Sequence, residues 1–366
     1  MIEVIFRVDS TNATGGGHLS RCLSLAEACV QLGMKVKFIC SFESASMATR
    51  MLGPHGFSVG LLPELPTEFK VLGAREINSF VYQSWDAQCV IEAIGKRTSK
   101  VRCLVLDSYY LDNTFESNLR PYFDSICVIE DMQDKIHDCD ILVDQNWQSV
   151  ETGDYGRRLP ASCSLLLGPD FALLSKSALA IGRKIQETSK VNNILVYFGE
   201  SDIHNQTEMA LMSLDSSHFA GKRVNVVLGG LNNNGAATTE KFSDSRHIEI
   251  CWFPSGPGFF QLMSGSDLAI GAGGTTMWER MFIGLPALVI STAENQLRSC
   301  AGAHREGLHR YLGSWLEVDY SMLRASVLGA IGEPELLISM SRRGQGVIDG
   351  RGAHRVASQL AEMSPR

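Results

Sequence analysis

A buried strand that runs into a glycine-rich turn and then a helix stands at the start of each half of the chain. In the first half, the apolar segment 2–8 precedes three consecutive glycines at 15–17 and a helical pattern from His18. In the second half, the apolar segment 194–198 precedes Gly199 and a helical pattern from about Asn205. Because strands and helices then keep alternating, the sequence predicts doubly wound, mainly parallel α/β sheets.

The length favours two domains of this kind. A chain of 366 residues can bury two separate cores of ordinary size. We predict an N-terminal Rossmann-like domain over residues 1–185 and a C-terminal Rossmann-like domain over residues 191–366, joined by the polar segment Lys184 to Lys190. The two domains are expected to face each other across a cleft, with the last helix able to pack back on the first domain.

Composition and charge narrow the choice of partners. The formal net charge of -7 argues against general attraction to nucleic acid or to an anionic membrane. No apolar run approaches the length that spans a bilayer, and Met1-Ile2-Glu3-Val4 enters a strand without a basic region or a cleavage site. The ten cysteines form no C-x-x-C pair, so we interpret them as reduced core residues of a cytoplasmic protein. The oligomeric state is left open.

The first glycine loop, Thr14-Gly15-Gly16-Gly17-His18, ends the first strand, where ligands gather in open α/β sheets. It fits neither the G-x-G-x-x-G fingerprint nor a P-loop. The positive end of the helix dipole disfavours an imidazolium at His18, which suits a general base. The alternative is that His18 only caps the helix or hydrogen-bonds Asp9. Arg21, one turn on, could contact a phosphate or hold Asp9 in an ion pair.

The second glycine loop follows the apolar segment 268–270. Gly273-Gly274 leads into Thr275 and Thr276 at the start of a helix, and their hydroxyl and N–H groups suit a diphosphate. Glu279 lies on the same helical face, where a carboxylate can bind the two hydroxyls of a ribose. The alternative is that Glu279 is only a partner of the helix dipole.

Three further segments are candidates with plainer alternatives. Asn295-Gln296 could supply amide contacts to a substrate, although amides at a helix start are more often caps. Gly199 could face the phosphates, but Glu200 and Asp202 beside it make a poorer anion site. Asp138-Cys139-Asp140 has the D-x-D spacing of some metal-dependent sugar enzymes. It leads straight into the apolar strand 141–143, so a structural role is favoured.

Ordered motifs along nearly the whole chain resemble the UDP-sugar hydrolases of pseudaminic acid biosynthesis (PseG type), which are related to glycosyltransferases of the GT-B fold. The motifs are, in chain order, Arg7-Val8-Asp9, Gly15-x-Gly17-His18-x-x-Arg21-Cys22-Leu23-x-Leu25-Ala26, Asp107-Ser108-Tyr109, Ile129-Glu130-Asp131, His137-Asp138-Cys139-Asp140, Leu167-Gly168-Pro169, Gly273-Gly274-Thr275-Thr276-x-Trp278-Glu279, Gly284-Leu285-Pro286, Asn295-Gln296 and Asp349-Gly350-Arg351-Gly352-Ala353 with Arg355-Val356.

This resemblance implies hydrolysis of UDP-2,4-diacetamido-2,4,6-trideoxy-β-L-altropyranose to the free sugar and UDP, without a metal or other cofactor. It implies a catalytic histidine at His18, which would activate water for attack on C1 with inversion. Substrate contacts are predicted at Asp9, Gly15, Gly16, Gly17, Arg21, Tyr109, Asn295 and Gln296, and UDP contacts at Gly199, Gly273, Gly274, Thr275, Thr276 and Glu279. Tyr110 and Asp86 are further candidates for the sugar pocket.

Two departures from the family pattern leave a related diacetamido sugar open. Thr14 stands where the family favours an aliphatic residue, and Gly199-Glu200-Ser201-Asp202-Ile203 replaces Gly-Gly-Ser-Asp-Pro.

Two rival functions also remain. A GT-B glycosyltransferase would use the same base with a sugar or lipid hydroxyl in place of water. A membrane-associated transferase should show a basic, apolar surface helix, which segment 63–68 lacks. A non-catalytic sensor would bind a UDP-sugar and leave it intact.

Overall fold

The computed structural model describes residues 2–11, 15–70, 79–96, 99–147, 155–184 and 190–363. Thr14 and residues 185–189 of the predicted linker lie outside the described residues. The chain divides into two compact units. The first runs to Leu173 and resumes at Arg351, and the second is Leu174–Gly350. The division therefore lies before the linker that the sequence suggests, and the end of the chain belongs to the first unit.

The first unit contains a seven-stranded parallel sheet. Its strands are β1 (Ile2–Val8), β2 (Lys35–Cys40), β3 (Val59–Leu61), β4 (Val101–Asp107), β5 (Ser125–Ile129), β6 (Ile141–Asp144) and β7 (Ser164–Leu167). They pair in the order β3-β2-β1-β4-β5-β6-β7. β4, β5 and β6 are buried along their whole length, as their unbroken apolar runs predict for strands covered on both faces.

Helices cover this first sheet. They are α1 (Gly17–Gln31), α2 (Ala45–Leu52), α3 (Thr67–Lys70), α4 (Phe80–Ile94) and α5 (Asn113–Leu119). The last helix of the chain, labelled α14 (Gly352–Ala361), also belongs to this unit and packs against α1. Glycine is required at the start of this helix, since a Cβ at Gly352 would lie 2.3 Å from the Ala172 carbonyl oxygen.

The second unit contains a six-stranded parallel sheet. Its strands are β8 (Asn193–Tyr197), β9 (Arg223–Leu228), β10 (Glu249–Pro254), β11 (Leu268–Ala272), β12 (Ala287–Ser291) and β13 (Arg310–Ser314), in the order β10-β9-β8-β11-β12-β13. Its helices are α6 (Lys176–Ile181), α7 (Gln206–Leu214), α8 (Gly235–Lys241), α9 (Phe259–Gly265), α10 (Thr276–Ile283), α11 (Glu294–Arg305), α12 (Tyr320–Gly332) and α13 (Pro334–Val347).

In each sheet the strand order reverses direction at one place, and the glycine loops follow the strands that meet there. β1 lies between β2 and β4, and β8 lies between β9 and β11. The carboxyl ends of such neighbouring strands open into a crevice, because their helices leave to opposite faces of the sheet. In the described parts of the chain, no helix is both long and apolar enough to cross a bilayer.

Candidate active site

His18 and Asp107 meet at the carboxyl edge of the first sheet. His18 is the second residue of α1, and Asp107 is the last residue of β4, where it pairs in register with Val8 of β1. The His18 Nδ1 atom lies 2.5 Å from Oδ1 of Asp107. His18 is 5% exposed and Asp107 is 1% exposed, so the contact is shielded from water.

Arg21 joins this pair to a second carboxylate. Its Nε and Nη2 atoms each donate to one oxygen of Asp107 at 2.7 Å. Its Nη1 atom donates to both oxygens of Asp131, at 2.8 and 2.9 Å. The expectation that Asp9 would be the partner of His18 or Arg21 is therefore wrong. One turn of α1 places both side chains beside β4 and β5 instead.

These contacts determine which nitrogen of His18 carries the proton. Burial opposes ionisation of Asp107, but the charges and hydrogen bonds of Arg21 and His18 outweigh it and hold the pKa of that carboxyl well below its usual range. An ionised carboxylate only accepts, so Nδ1 must be the donor. Arg21 Nη2 also lies 3.3 Å from Nδ1, but its shorter bond goes to Asp107. The neutral ring then has Nε2 as its proton acceptor, and Asp107 stabilises the imidazolium that forms.

Tyr109 and Asn146 complete the surroundings of this group. The Tyr109 ring packs edge to face on His18, with centroids 4.3 Å apart. Its hydroxyl donates to Asp131 at 3.0 Å, and the Asn146 amide donates to the same carboxylate at 2.8 Å. Burial and the nearby Asp131 raise the pKa of Tyr109, so its hydroxyl remains a donor. Tyr109 thus lies beside the predicted base.

The predicted sugar-pocket residues Asp9 and Asp86 belong to a separate ion pair. Both oxygens of Asp86 bind Arg7, at 2.9 and 2.6 Å, and Asp86 is 0% exposed. Asp86 is therefore structural, and its proposal as a pocket residue is wrong. Asp9 accepts from Arg7 and from the Ser41 N–H, each at 2.6 Å, and stays half-buried at the end of β1.

Two hydrogen bonds hold Gly15, at the start of the described part of the first glycine loop. Gly15 has a φ of +70°, and its N–H donates to the Thr11 carbonyl at 2.8 Å. Its own carbonyl accepts from the Ser10 hydroxyl at 2.6 Å. Gly16 precedes α1 without a side-chain cap, and Gly17 is the first helical residue. The loop therefore delivers His18 into the first turn of the helix, as predicted.

A buried group of three side chains, which we call the clasp, is linked to Asp131. The clasp consists of Glu116 of α5, His137 and Glu130. The His137 Nδ1 atom lies 2.6 Å from Glu116 Oε1, and its Nε2 atom lies 2.9 Å from Glu130 Oε2. All three are at most 5% exposed. Burial opposes protonation of His137, but the two carboxylates outweigh it and raise its pKa to about 9.

The clasp makes the stability of the protein sensitive to alkaline pH. Because the pKa of His137 rises from its ordinary 6.5 to about 9, its stabilisation is complete below pH 6.5 and is lost as the pH rises through 9. The full shift corresponds to about 3 kcal/mol of unfolding free energy. Urea unfolding at pH 7 and pH 10 should show this loss in the parent protein and much less of it in His137→Gln. Equal losses in both would contradict the assignment.

The D-x-D segment has a structural partner. Arg120 binds Asp138 Oδ1 at 2.9 Å and Asp140 Oδ2 at 2.5 Å. Asp140 also accepts from the Ile126 N–H at 2.8 Å. These bonds tie β6 to β5, which is the structural role that the sequence favours. Within the described ranges, no group of three or more His, Cys, Asp or Glu side chains is arranged so that it could hold a metal ion.

In the second unit, the Gly273-Gly274 turn lies where β11 gives way to α10. A Cβ at Gly273 would lie only 2.0 Å from the Cys300 Sγ atom, so this position requires glycine. Thr275 and Thr276 are half-buried at the helix start. A Cβ added to Gly274 would lie 3.7 Å from the side-chain amide nitrogen of Gln296. The amide oxygen of Gln296 accepts from the Thr292 N–H at 2.9 Å. The fold therefore brings two predicted segments together at this turn.

Glu279 and Arg280 lie beneath the same turn. Glu279 is 3% exposed, and Oε1 accepts from the Ser175 N–H at 3.4 Å. Burial raises the pKa of Glu279 to about 7, against the hydrogen bond from Ser175 and the charge of Arg280. Arg280 is also 3% exposed and donates to the Ala272 carbonyl at 2.7 Å. Both residues are thus held in the interior of the second unit.

The remaining predicted residues lie at the same edge of the second sheet. Gly199 follows β8, the strand next to β11. Glu200 accepts from the Gly230 N–H at 2.9 Å and from the Ser255 hydroxyl at 3.1 Å, which ties its carboxylate to neighbouring loops. Asn295 is half-buried beside Gln296 in the first turn of α11.

Sequence reasoning missed the roles of Asp131, Asn146 and the clasp. The sequence does contain a signal for the acidic residues at the ends of β4 and β5. The apolar segments 101–106 and 126–129 each run directly into acids at the carboxyl end of a buried strand. Acids at adjacent strand ends must lie close together and need a buried cation, which Arg21 supplies. No such signal points to Asn146.

The two parallel α/β units have a GT-B-like fold. Solved structures that share it over nearly the whole chain include MurG of Acinetobacter baumannii, with a TM-score of 0.63, 14% identity and 99% of each chain covered. The calicheamicin glycosyltransferase CalG4 has a TM-score of 0.64 and 14% identity, with 98% of this chain and 97% of that chain covered. The UDP-GlcNAc 2-epimerase of Neisseria meningitidis, bound to UDP-GlcNAc, has a TM-score of 0.66 and 11% identity, with 99% of each chain covered.

Two sequence relatives add to this comparison. The spore coat polysaccharide biosynthesis protein SpsG of Bacillus subtilis is 24% identical over 355 residues, which covers 95% of each chain. The uncharacterized protein MJ1062 of Methanocaldococcus jannaschii is 32% identical over 143 residues, covering 36% of this chain and 28% of that protein. No protein family model matches the chain.

Proposed function

We propose that this protein transfers a glycosyl group from a UDP-sugar to a hydroxyl acceptor in polysaccharide biosynthesis, with His18 as the general base. The observation that carries the proposal is the buried His18–Asp107–Arg21 group at the carboxyl edge of the first sheet. Several proteins of this fold are named as glycosyltransferases, and a relative that matches over 95% of each chain is named for polysaccharide biosynthesis.

In the proposed reaction, the acceptor oxygen attacks C1 of the sugar while the bond from C1 to the diphosphate oxygen breaks. The acceptor proton passes to Nε2 of His18, and Asp107 stabilises the resulting imidazolium at Nδ1. Attack from the face opposite the leaving group inverts the anomeric centre. The electron pair of the broken bond stays on the diphosphate oxygen, and UDP departs.

One cation serves both carboxylates beside His18. Arg21 binds Asp107 and Asp131, so Asp107 is shared between Arg21 and His18. Arg21 therefore holds Asp107 in the position in which it accepts the Nδ1–H of His18.

Hydrolysis is the second candidate, and the ordered motif resemblance to PseG-type hydrolases favours it. Water would replace the acceptor hydroxyl, while the base and the leaving group would keep their roles. The same His18 geometry serves both reactions, so only the acceptor distinguishes them. In that case a UDP-linked diacetamido sugar would be the substrate class, as the resemblance implies.

The test is to incubate the purified protein with UDP-GlcNAc and UDP-diacetamido sugars, with chelator present, with and without a panel of glycoside acceptors. UDP release that requires an acceptor, together with a product one sugar heavier, supports transfer. Release of free sugar and UDP without an acceptor supports hydrolysis instead. UDP-sugar that binds and stays intact in every mixture supports a non-catalytic sensor, and failure to bind any UDP-sugar overturns the proposal.

The pKa of Glu279 offers a separate test of ribose binding. The two ribose hydroxyls donate to a carboxylate and favour its ionised form, so a UDP-sugar should bind more tightly as the pH rises through about 7. The phosphates of a UDP-sugar do not titrate in this range. Calorimetry should show up to about 30-fold tighter binding at pH 8.5 than at pH 5.5. Glu279→Gln should bind more weakly and with little pH dependence. The exposed Glu240→Gln is the control, and a parent protein with a flat profile would exclude the contact.

A further inference from the structure

The clasp lies outside the proposed chemistry, yet it holds three charged groups in the interior of the first unit. Glu116 is 0% exposed, His137 3% and Glu130 5%. Buried ion pairs seldom add net stability compared with apolar residues of the same volume, because desolvation offsets their attraction. The neighbouring strands β5 and β6 are buried along their whole length, so these charges lie in a part of the unit where apolar side chains are usual. A buried polar group in such a place can instead fix one conformation.

Glu130 connects the clasp to the Arg21 network. One carboxylate oxygen accepts a hydrogen bond from His137 Nε2. The other accepts from the backbone N–H groups of Asp131 and Met132, at 2.8 and 2.6 Å. Glu130 therefore fixes the backbone of the residue whose side chain binds Arg21. From there, Arg21 reaches Asp107, and Asp107 reaches His18. Each step is a hydrogen bond between buried groups.

The other end of the clasp fastens the rest of the loop 130–138. Glu116 Oε2 accepts from the Asp138 N–H at 2.5 Å, and the His137 N–H donates to the Arg158 carbonyl at 2.9 Å. Lys135 donates to the Ser108 and Leu111 carbonyls, at 3.3 and 3.4 Å. The loop is thus tied on one side to α5 and on the other to the segment that carries Tyr109.

We propose that the clasp positions the base: by fixing Asp131, it sets the orientation of Arg21 and of the Asp107–His18 pair. The inference depends on the proposed function, because it assigns the clasp to the orientation of a catalytic His18. His137 and Glu130 are positioning residues that act through Asp131 and Arg21. Since a base displaced by 1 Å can cost about 100-fold in rate, loss of the clasp should lower kcat by about 10- to 100-fold.

The test compares His137→Gln with a matched control. Glutamine is close to histidine in size and remains neutral, so it can donate to one carboxylate but cannot bridge both as a cation. Glu3→Gln is the control, because it breaks the Arg102–Glu3 ion pair in the same sheet, near its amino edge and away from His18. We expect a lower kcat with KM and UDP affinity within about twofold for His137→Gln, and unchanged kinetics for Glu3→Gln.

A spectroscopic measurement keeps this inference separate from the proposed function. Nitrogen-15 NMR of His18 reports the tautomer and the Nδ1–H hydrogen bond even in a protein without turnover. The inference predicts a shifted His18 signal in His137→Gln and an unshifted signal in Glu3→Gln. If His137→Gln does not fold, Glu130→Gln takes its place, since it keeps the side-chain shape. A folded clasp variant with the parent kcat, or with the parent His18 signal, overturns the inference. Absence of turnover in the parent protein would count only against the proposed function.

Discussion

His18→Asn should lower kcat by about 10²- to 10⁴-fold, the range that a positioned general base contributes. The asparagine amide can still donate to Asp107, which accepts from Nδ1 of His18 at 2.5 Å in the parent protein. The variant therefore keeps the buried hydrogen bond and removes only Nε2, the proton acceptor. Steady-state kinetics with a UDP-sugar and acceptor, or with a UDP-sugar alone if water is the acceptor, would measure the loss.

The affinity for UDP should remain close to that of the parent protein, because the predicted nucleotide residues belong to the second unit. Calorimetry with UDP checks this, and equal losses in UDP affinity and kcat would point to a general structural change. A variant with near-normal turnover would exclude His18 as the base. A loss confined to kcat would identify an interaction made mainly in the transition state.

Asp107→Asn should cost up to about 10⁴-fold in kcat, the loss that follows when a base histidine is held in the wrong tautomer. An asparagine can turn its amide donor toward Nδ1, which would move the ring proton to Nε2 and remove the acceptor. It also takes one negative charge from a group in which Arg21 binds Asp107 and Asp131. Steady-state kinetics would measure this loss, and the His18 NMR signal would show the change of tautomer directly.

A matched control separates this effect from the loss of a buried carboxylate. Asp124 is 5% exposed and accepts from the Arg102 N–H at 2.7 Å, close to the amino edge of the same sheet. Asp124→Asn should change unfolding free energy without changing kcat. If Asp107→Asn and Asp124→Asn lowered kcat equally, the pairing of Asp107 with His18 would have no catalytic meaning.

The depressed pKa of Asp107 gives the sign of its contribution to stability. Burial opposes ionisation, yet Arg21 and His18 hold the pKa below its ordinary value of 3.8. The stabilisation is therefore present above that value and is lost only as the pH falls below it. Near neutral pH the Asp107 carboxylate stays ionised. In the proposed reaction, the proton of the acceptor hydroxyl is therefore taken by His18 and not by Asp107.

Local chain chemistry was enough to predict the two parallel α/β units and the positions of both glycine turns. An apolar run of five to seven residues followed by glycines and a helical pattern permits few other structures. The same reasoning placed His18 in the first turn of α1 and Thr275 and Thr276 at the start of α10. It also attributed Asp138-Cys139-Asp140 to structure, and Arg120 supplies the partner.

Side-chain partners were less predictable, because they depend on which strands lie side by side. Asp9 is near His18 in sequence, so it was the natural partner to expect. The sheet instead sets β4 beside β1, which brings Asp107 to His18 across 89 positions of sequence. Asp9 and Asp86 bind Arg7 instead. The UDP and sugar contacts and the cytoplasmic location remain predictions.

The sequence by itself determined the two α/β units, their glycine turns and the presence of a histidine suited to base chemistry, since each follows from residues close together in the chain. Only the tertiary structure decided that His18 pairs with Asp107, that Arg21 joins it to Asp131, and that Glu279 is buried with a pKa of about 7. The physical reason is that burial and charge pairing depend on strand order, which brings together residues that lie far apart in sequence.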